Sequence, residues 1–184
     1  SSRCIERKFL MRSSKVKELM MDVLKLALEK YDFKLIGYTI MDNHFHFCIK
    51  TTMNGETISR IMQFIKSQFA RRYNRMMKRI GPFWNERFSD TIVESCLNPV
   101  KYFFFLIIYL AFNPVRSKIV RDPRNYVFSS IKCYLDKTYE SPVRITLHEF
   151  FIQLGDTFEE RVHELLAYED MYRKRIFPME IFVM

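Results

Sequence analysis

Two histidines separated by one residue are the strongest chemical signal in the sequence. His44 and His46 alternate with phenylalanines in the segment 43–47. On a β-strand, residues i and i+2 point to the same face, so both imidazoles would project from one side of a sheet. Two converging neutral imidazoles can bind one divalent ion, which needs a further ligand. The alternative is a pair of ordinary strand histidines, because this short motif is weak by itself.

A tyrosine and an asparagine four residues apart form a second candidate group. On a helix, Tyr109 and Asn113 would lie on one face with their β carbons about 6 Å apart, so they could supply a nucleophile and a third metal ligand. On a strand they would be roughly 13 Å apart, too far to share one small site. The alternative is that Tyr109 is a core aromatic residue among the neighbouring phenylalanines.

The first half of the chain contains the elements that must position the histidines. Residues 33–40 are a short segment of β-branched and aromatic residues, and residues 44–51 alternate in polarity. The turn residues 41–43 lie between them, which predicts a β-hairpin. Apolar residues at helical spacing predict amphipathic helices over 14–31, with Ser13 or Ser14 as the cap, and over 57–78. The second of these helices is strongly basic towards its end.

The segment that carries Tyr109 is more ambiguous. Residues 101–112 are rich in aromatic and β-branched residues, which favour strands, but their length without turn residues favours a buried helix. We predict a helix that ends at Asn113, because a residue before proline is pushed out of the helical region. Before it, residues 83–94 look extended, with 91–93 as the clearest strand.

These elements together predict an α+β fold. The order of helices and strands resembles a ferredoxin-like (RRM-like) antiparallel sheet with covering helices, plus a C-terminal helical appendage. That arrangement begins with a strand, and either residues 1–9 are the remnant of this strand or part of it is missing from the sequence. We divide the chain into a catalytic domain, 1–135, and a helical C-terminal extension, 136–184, with helices near 146–154 and 157–175.

Charge indicates a polyanionic partner. The 184-residue chain has 30 Lys and Arg against 21 Asp and Glu, a formal net charge of +9, which attracts nucleic acid. A solvated helix face is the simpler explanation for most of these charges, and the tryptophan could belong to the core. The candidate contacts to phosphates and unpaired bases are Arg71, Arg72, Arg75, Lys78, Trp84 and Arg87.

The cysteines and the apolar runs indicate a soluble, cytoplasmic protein. The four cysteines, at positions 4, 48, 96 and 133, are far apart and form no metal-binding or disulfide pattern, so we expect reduced thiols. The most apolar run, 102–112, is far shorter than the roughly 20 residues of a membrane-spanning helix.

Three segments together resemble the single-tyrosine transposases of the HUH class, especially the REP-associated type. They are Tyr38-Thr39-Ile40-Met41-Asp42-Asn43-His44-Phe45-His46, then Tyr109 through Val115, and then Tyr126-Val127-Phe128-Ser129-Ser130. The resemblance runs from about residue 3 to residue 134 with compatible order and spacing. It is therefore more specific than either short motif.

The resemblance implies a mechanism. In that family two histidines bind a divalent metal and a tyrosine attacks DNA, and these roles fall on His44, His46 and Tyr109. Asn113 matches the polar residue that completes metal binding in related enzymes. The implied cofactor is Mg²⁺ or Mn²⁺, and the implied partner is single-stranded DNA with hairpin structure, bound by a monomer or a homodimer. The implied reaction cuts and rejoins DNA through a 5′-phosphotyrosine.

Two other functions remain open from the sequence. One is a non-catalytic nucleic-acid-binding module derived from a transposase. The other is a metal-dependent hydrolase that uses the two histidines with water. Relaxases and rolling-circle replication initiators share the chemistry, but the short chain and the Asn-Pro context favour a transposase.

Overall fold

The fold combines a three-stranded antiparallel sheet with helices, which confirms the predicted α+β class. The computed structural model describes residues 1–85 and 87–174. The last ten residues of the predicted C-terminal extension lie outside these described residues. In chain order the elements are β1 Ser2–Arg3, α1 Ser14–Lys30, β2 Phe33–Ile40, β3 His44–Thr51, α2 Ile58–Met76, α3 Pro99–Arg116, α4 Lys132–Leu135, α5 Glu149–Ile152 and α6 Phe158–Arg173.

The chain forms two compact units. The first contains Ser1–Asp90 and Ser141–Thr146, and the second contains Thr91–Glu140 and the described residues from Leu147 onward. The predicted division after residue 135 concerns function, so it remains a proposal beside these structural units.

The sheet of the first unit has β3 at its centre. Its order is β1, β3, β2, and both pairings are antiparallel. β1 has only two residues, Ser2 opposite Phe45 and Arg3 opposite His44. The start of the chain therefore does pair with the sheet, as expected, and it pairs with the residues around the first histidine.

Helices and an aromatic cluster form the core of the first unit. α1 packs against α2, and it begins at the predicted cap, where the Ser13 hydroxyl accepts a hydrogen bond from the Val16 amide. Phe45 from β3, Phe69 from α2 and Phe83 are fully buried. Trp84 contacts Phe45 edge to face, with 5.3 Å between the ring centroids. Strand β3 therefore has one face fixed by aromatic packing.

A long apolar helix organises the second unit. α3 buries Phe103, Phe104 and Phe105 almost completely, and α6 packs against it. The Phe104 ring stacks on Tyr168 of α6 with centroids 4.7 Å apart. The helix predicted over 101–112 is confirmed, and so are two helices in the C-terminal region, although α5 is short.

The strand predicted within 83–94 is wrong. Its only ladder contact within the described residues is an isolated bridge between Cys4 and Trp84, and Val93–Ser95 forms a single 3-10 turn. Ile92 is 62% exposed. β-branched residues favour a strand only where a neighbour supplies backbone partners. In the described part of the chain, the backbone hydrogen bonds that join this segment to residues 1–5 involve Phe83, Asn85 and Ser89, and they end before residues 91–93.

The predicted helix end at Asn113 is also wrong. α3 continues through Pro114 to Arg116. Proline removes one backbone donor, but it lies in the last turn here, so little helix remains to be disturbed. The Ser117 amide donates to the Asn113 carbonyl at 3.0 Å, and Lys118 adopts a left-handed conformation with φ of 56°, which closes the helix.

Candidate active site

The two histidines point to the same side of β3. The ring centroids of His44 and His46 are 5.0 Å apart, with the rings nearly perpendicular, and both side chains are half-buried. On the other face, Phe45 is fully buried and stacks against Phe47 at 4.2 Å. The alternation predicted from the sequence is therefore confirmed, and two imidazoles at this separation have the donor chemistry to share one divalent ion.

The turn before β3 is held from several directions by earlier parts of the chain. The Lys17 ammonium donates to the Asp42 carboxylate at 2.6 Å, and the side chain of Lys17 is only 6% exposed. The backbone amide of Met11 donates to the Asp42 carbonyl, and that of Cys4 to the Asn43 carbonyl, each at 2.8 Å. The turn is thus a rigid support for the histidine that follows it.

The Asn43 side chain reaches the first histidine directly. Its Nδ2 donates to the backbone carbonyl of Arg7 at 3.0 Å, and its Oδ1 lies 2.7 Å from Nδ1 of His44. The sequence predicted turn residues here but not this contact, because the partner carbonyl is 36 residues away.

In the second unit, α3 brings Tyr109 and Asn113 together on one face. Asn113 is 8% exposed, and its Nδ2 donates to the backbone carbonyl of Tyr109 at 2.8 Å. The amide nitrogen is therefore engaged within the helix, and the amide oxygen is the atom that could bind a hard cation. Tyr109 is half-buried, so its position differs from that of the fully buried phenylalanines before it.

Two residues near Tyr109 were missed by sequence reasoning. Arg116 lies two helical turns after Tyr109, and its guanidinium is 5.6 Å from the centroid of the Tyr109 ring. Burial raises the pKa of the Tyr172 phenol, and the electrostatic repulsion from Tyr109 raises it further. Arg116 hydrogen-bonds to this phenol and acts in the opposite direction. The i+7 spacing from Tyr109 to Arg116 was a usable signal, whereas Tyr172 could not have been found from spacing.

Within the described part of the chain, the side chains that could bind a metal do not form an acidic cluster. No group of three or more His, Cys, Asp or Glu side chains suited to a metal exists among residues 1–85 and 87–174. An ion bound by His44 and His46 would therefore take its other ligands from different groups, such as an amide oxygen, water or a phosphate. His44 and His46 lie together in the first unit, and Tyr109 and Asn113 lie together in the second.

The predicted DNA contacts differ in exposure. Trp84 is half-buried in the aromatic cluster, and its indole nitrogen donates to the Lys66 carbonyl at 2.9 Å, so much of this side chain serves the core. The exposed members, whose side chains form no ion pair within the described part of the chain, are Arg71, Arg72, Arg75, Lys78 and Arg87. Their contact with DNA stays a prediction.

The model of one protein family matches this chain over residues 2–98, and its description is "Transposase IS200 like". The chain belongs to the IS200-like transposase family. The matched residues contain both histidines of β3, while Tyr109 and Asn113 lie beyond them. The family predicted from the sequence is therefore confirmed, and it rests most directly on the unit that carries the histidines.

A solved structure shares the fold of this IS200-like transposase. It is a REP-associated tyrosine transposase bound to a REP hairpin, with a TM-score of 0.56, 14% identity, and coverage of 80% of this chain and 84% of that one. None of the curated proteins compared with the chain matches it. Across the described residues, no helix has the length and apolar character needed to span a membrane.

The cysteines of the transposase are all free thiols in the structure. Cys4 is fully buried beneath the turn, and burial raises the pKa of its thiol to about 12. A thiol in this environment is a packing group rather than a nucleophile or a metal ligand.

Proposed function

We propose that this IS200-like transposase cuts and rejoins single-stranded DNA with hairpin structure, using Tyr109 as the nucleophile. Family membership supports the reaction class. The proposed metal dependence rests on the paired imidazoles of His44 and His46 on the central strand. The hairpin partner is proposed because the structural neighbour is bound to a REP hairpin.

In the proposed reaction, the Tyr109 oxygen attacks the scissile phosphorus and loses its proton to solvent or a base. A bond forms between the tyrosine oxygen and phosphorus, and the bond from phosphorus to the 3′ oxygen breaks. The 3′ oxygen takes up a proton and leaves as a hydroxyl, while the 5′ phosphate stays on Tyr109. Attack by another 3′-hydroxyl reverses these bond changes, so strands are joined without ATP.

His44, His46 and Asn113 are the proposed metal ligands, with Mg²⁺ or Mn²⁺ as the ion. When bound, such an ion polarises the phosphate oxygens and offsets the charge that develops on them. Two imidazoles favour softer ions than Mg²⁺, whereas the amide oxygen of Asn113 suits hard ones. Tyr109 and Asn113 would act from the same chain or from a second copy in a homodimer.

A permanent positive charge lies beside Tyr109. The Arg116 guanidinium lies over the Tyr109 ring, 5.6 Å from its centroid, and carries a permanent positive charge that would attract the phosphate of bound DNA. The exposed arginines of α2 and Arg87 would bind the DNA backbone as fixed positive charges.

The test is an incubation of purified protein with a labelled hairpin-bearing oligonucleotide and Mg²⁺, followed by a denaturing gel. We expect a DNA–protein adduct that EDTA prevents and that Tyr109→Phe and His46→Gln abolish. Tyr102→Phe is the matched control, because Tyr102 lies two turns earlier on the same helix and should leave the adduct intact.

Other outcomes would contradict the proposal in distinct ways. Cleavage without an adduct would indicate a hydrolase that activates water at the histidines. DNA binding without cleavage would indicate a non-catalytic module derived from a transposase. An adduct that persists in Tyr109→Phe would assign the nucleophile to a different residue.

A further inference from the structure

The Asn43 side chain lies between two groups whose hydrogen-bonding roles can be assigned. The backbone carbonyl of Arg7, 3.0 Å from Nδ2, can only accept a hydrogen bond. The end of the amide that faces Arg7 must therefore be the NH₂ group, and the end that faces His44 must be the oxygen. This contact fixes the orientation of the amide, which heavy-atom positions alone leave ambiguous.

The orientation of Asn43 determines which nitrogen of His44 carries hydrogen. An amide oxygen has no hydrogen to donate, so Nδ1 of His44, 2.7 Å away, is the donor. A neutral imidazole has one N–H group, and its lone pair is then on Nε2. That lone pair is what a metal ion binds, and a fixed partner on the other nitrogen is the usual way in which proteins orient a histidine ligand.

We propose that Asn43 is a positioning residue that holds His44 as the Nδ1–H tautomer and so directs Nε2 to the metal ion. The proposal rests on the proposed function, in which His44 is a metal ligand. The assignment of the tautomer itself depends only on the contacts of the metal-free protein.

The backbone that supplies the Arg7 carbonyl is unusual. Glu6 and Arg7 are in the left-handed region, with φ of 52° and 55°. Residues other than glycine rarely adopt this conformation, and it persists where surrounding structure enforces it, often next to functional sites. Hydrogen bonds from the Arg7 amide to Cys4 and from the Lys8 amide to Ile5 close this turn. A strained segment thus presents the carbonyl that orients Asn43.

The neighbouring residue provides a control, because it supports the same turn by other contacts. The Asp42 carboxylate accepts a hydrogen bond from the Lys17 ammonium, and the Asp42 backbone carbonyl accepts one from the Met11 amide. Neither contact involves His44. Loss of the Asp42 carboxylate should therefore weaken the turn without changing the tautomer, which separates a structural effect from the proposed positioning effect.

The tautomer can be measured by ¹⁵N NMR of the imidazole nitrogens in the metal-free protein, with His44 assigned from a His44→Gln variant. We expect Nδ1–H at His44 in the native protein and in Asp42→Asn. Asn43→Leu should allow the Nε2–H form. Asn43→Asp should keep Nδ1–H, because a carboxylate still accepts the hydrogen bond even though it cannot donate to Arg7.

Mn²⁺ binding, followed by the loss of the free-ion EPR signal, is the second measurement. Loss of an outer-shell partner weakens metal binding by about 10-fold to 100-fold, and we expect this of Asn43→Leu. Asn43→Asp should recover most of the affinity. Asp42→Asn should bind Mn²⁺ as the native protein does under conditions where it is folded.

The results separate this proposal from the proposed function. Nε2–H at His44 in the native protein would overturn the positioning role without any variant, as would equal Mn²⁺ affinity in Asn43→Leu. Native protein with Nδ1–H but no Mn²⁺ binding would overturn the metal-dependent function and leave the tautomer assignment intact. Failure of Asn43→Asp to restore Nδ1–H would also overturn the role of Asn43.

Discussion

The turn before β3 and the helix α3 hold their candidate site residues by different physical means. In the turn, directional contacts predominate: an ion pair, backbone hydrogen bonds, and the amide of Asn43 against His44. In α3, Tyr109 follows a run of buried phenylalanines that pack on apolar neighbours. Hydrogen bonds restrict the orientation of a side chain, whereas close packing restricts the space that the side chain can occupy. The difference suits the proposed roles. A metal ligand must direct its lone pair at the ion, whereas a nucleophilic side chain needs a well-packed backbone beneath it and one side exposed to the substrate.

The largest expected effect comes from removing volume beneath the tyrosine helix. Phe104 is fully buried and stacks on Tyr168. We expect Phe104→Ala to lower the free energy of unfolding by about 4 kcal/mol, through lost apolar burial and a cavity. Urea unfolding measures this, with Phe104→Leu as the smaller change. A loss below 1 kcal/mol would mean that packing does not hold this helix.

Next in size is the ion pair of the turn. Lys17→Met leaves the Asp42 carboxylate without its partner, and we expect a loss of about 3 kcal/mol, as for other pairs that are largely buried. The double variant Lys17→Met with Asp42→Leu should recover part of that loss, since no charge is then buried alone. Additive losses would show that the two side chains act independently.

A smaller effect is expected at the tyrosine itself. Arg116→Ala removes the charge beside the Tyr109 ring, and we expect adduct formation to slow about tenfold, which corresponds to about 1.4 kcal/mol. Arg116→Lys should retain part of the rate because the charge remains. Single-turnover kinetics with saturating DNA would distinguish this from weaker DNA binding. An unchanged rate would mean that Tyr109 depends on packing alone.

The smallest effect concerns Cys4 below the turn. Since burial raises the pKa of this thiol to about 12, the folded protein keeps it protonated where the unfolded chain would ionise. The protonated Cys4 thiol therefore makes its full contribution to the free energy of unfolding below the ordinary thiol pKa. That contribution is lost as the pH rises towards 12. At pH 8 we expect iodoacetamide to spare Cys4 in the native protein and to modify it in urea. Mass spectrometry of the modified peptides is the measurement.

Local pattern predicted most of the fold. The hairpin and helices α1 to α3 follow from periodicity and turn residues, which depend on neighbours in the sequence. The strand expected within 83–94 failed because pairing depends on a neighbour that propensity does not specify. The helix end at Asn113 failed because the rule against proline weakens in the last turn of a helix.

The candidate site was only partly predictable. The same-face placement of His44 and His46 follows from strand alternation, and the helical spacing brings Asn113 to Tyr109. The contact of Asn43 with the Arg7 carbonyl joins segments that are distant in sequence and depends on two left-handed residues. No local sequence pattern predicts such a contact, because the segment around Glu6 and Arg7 contains neither a glycine nor a known turn motif.

The pairing of β1 with β3 makes the first histidine sensitive to a local opening at that edge of the strand. Among residues 1–85 and 87–174, Ser2 and Arg3 pair with that side of β3, at Phe45 and His44, while β2 covers the other side along its length. Opening of this edge would also break the backbone hydrogen bonds of residues 1–5 with Asn43, Phe83, Asn85 and Ser89, and such a local event requires less free energy than global unfolding. In hydrogen exchange, the amides of this edge should therefore exchange well before those shared with β2, and a bound metal ion should slow them selectively.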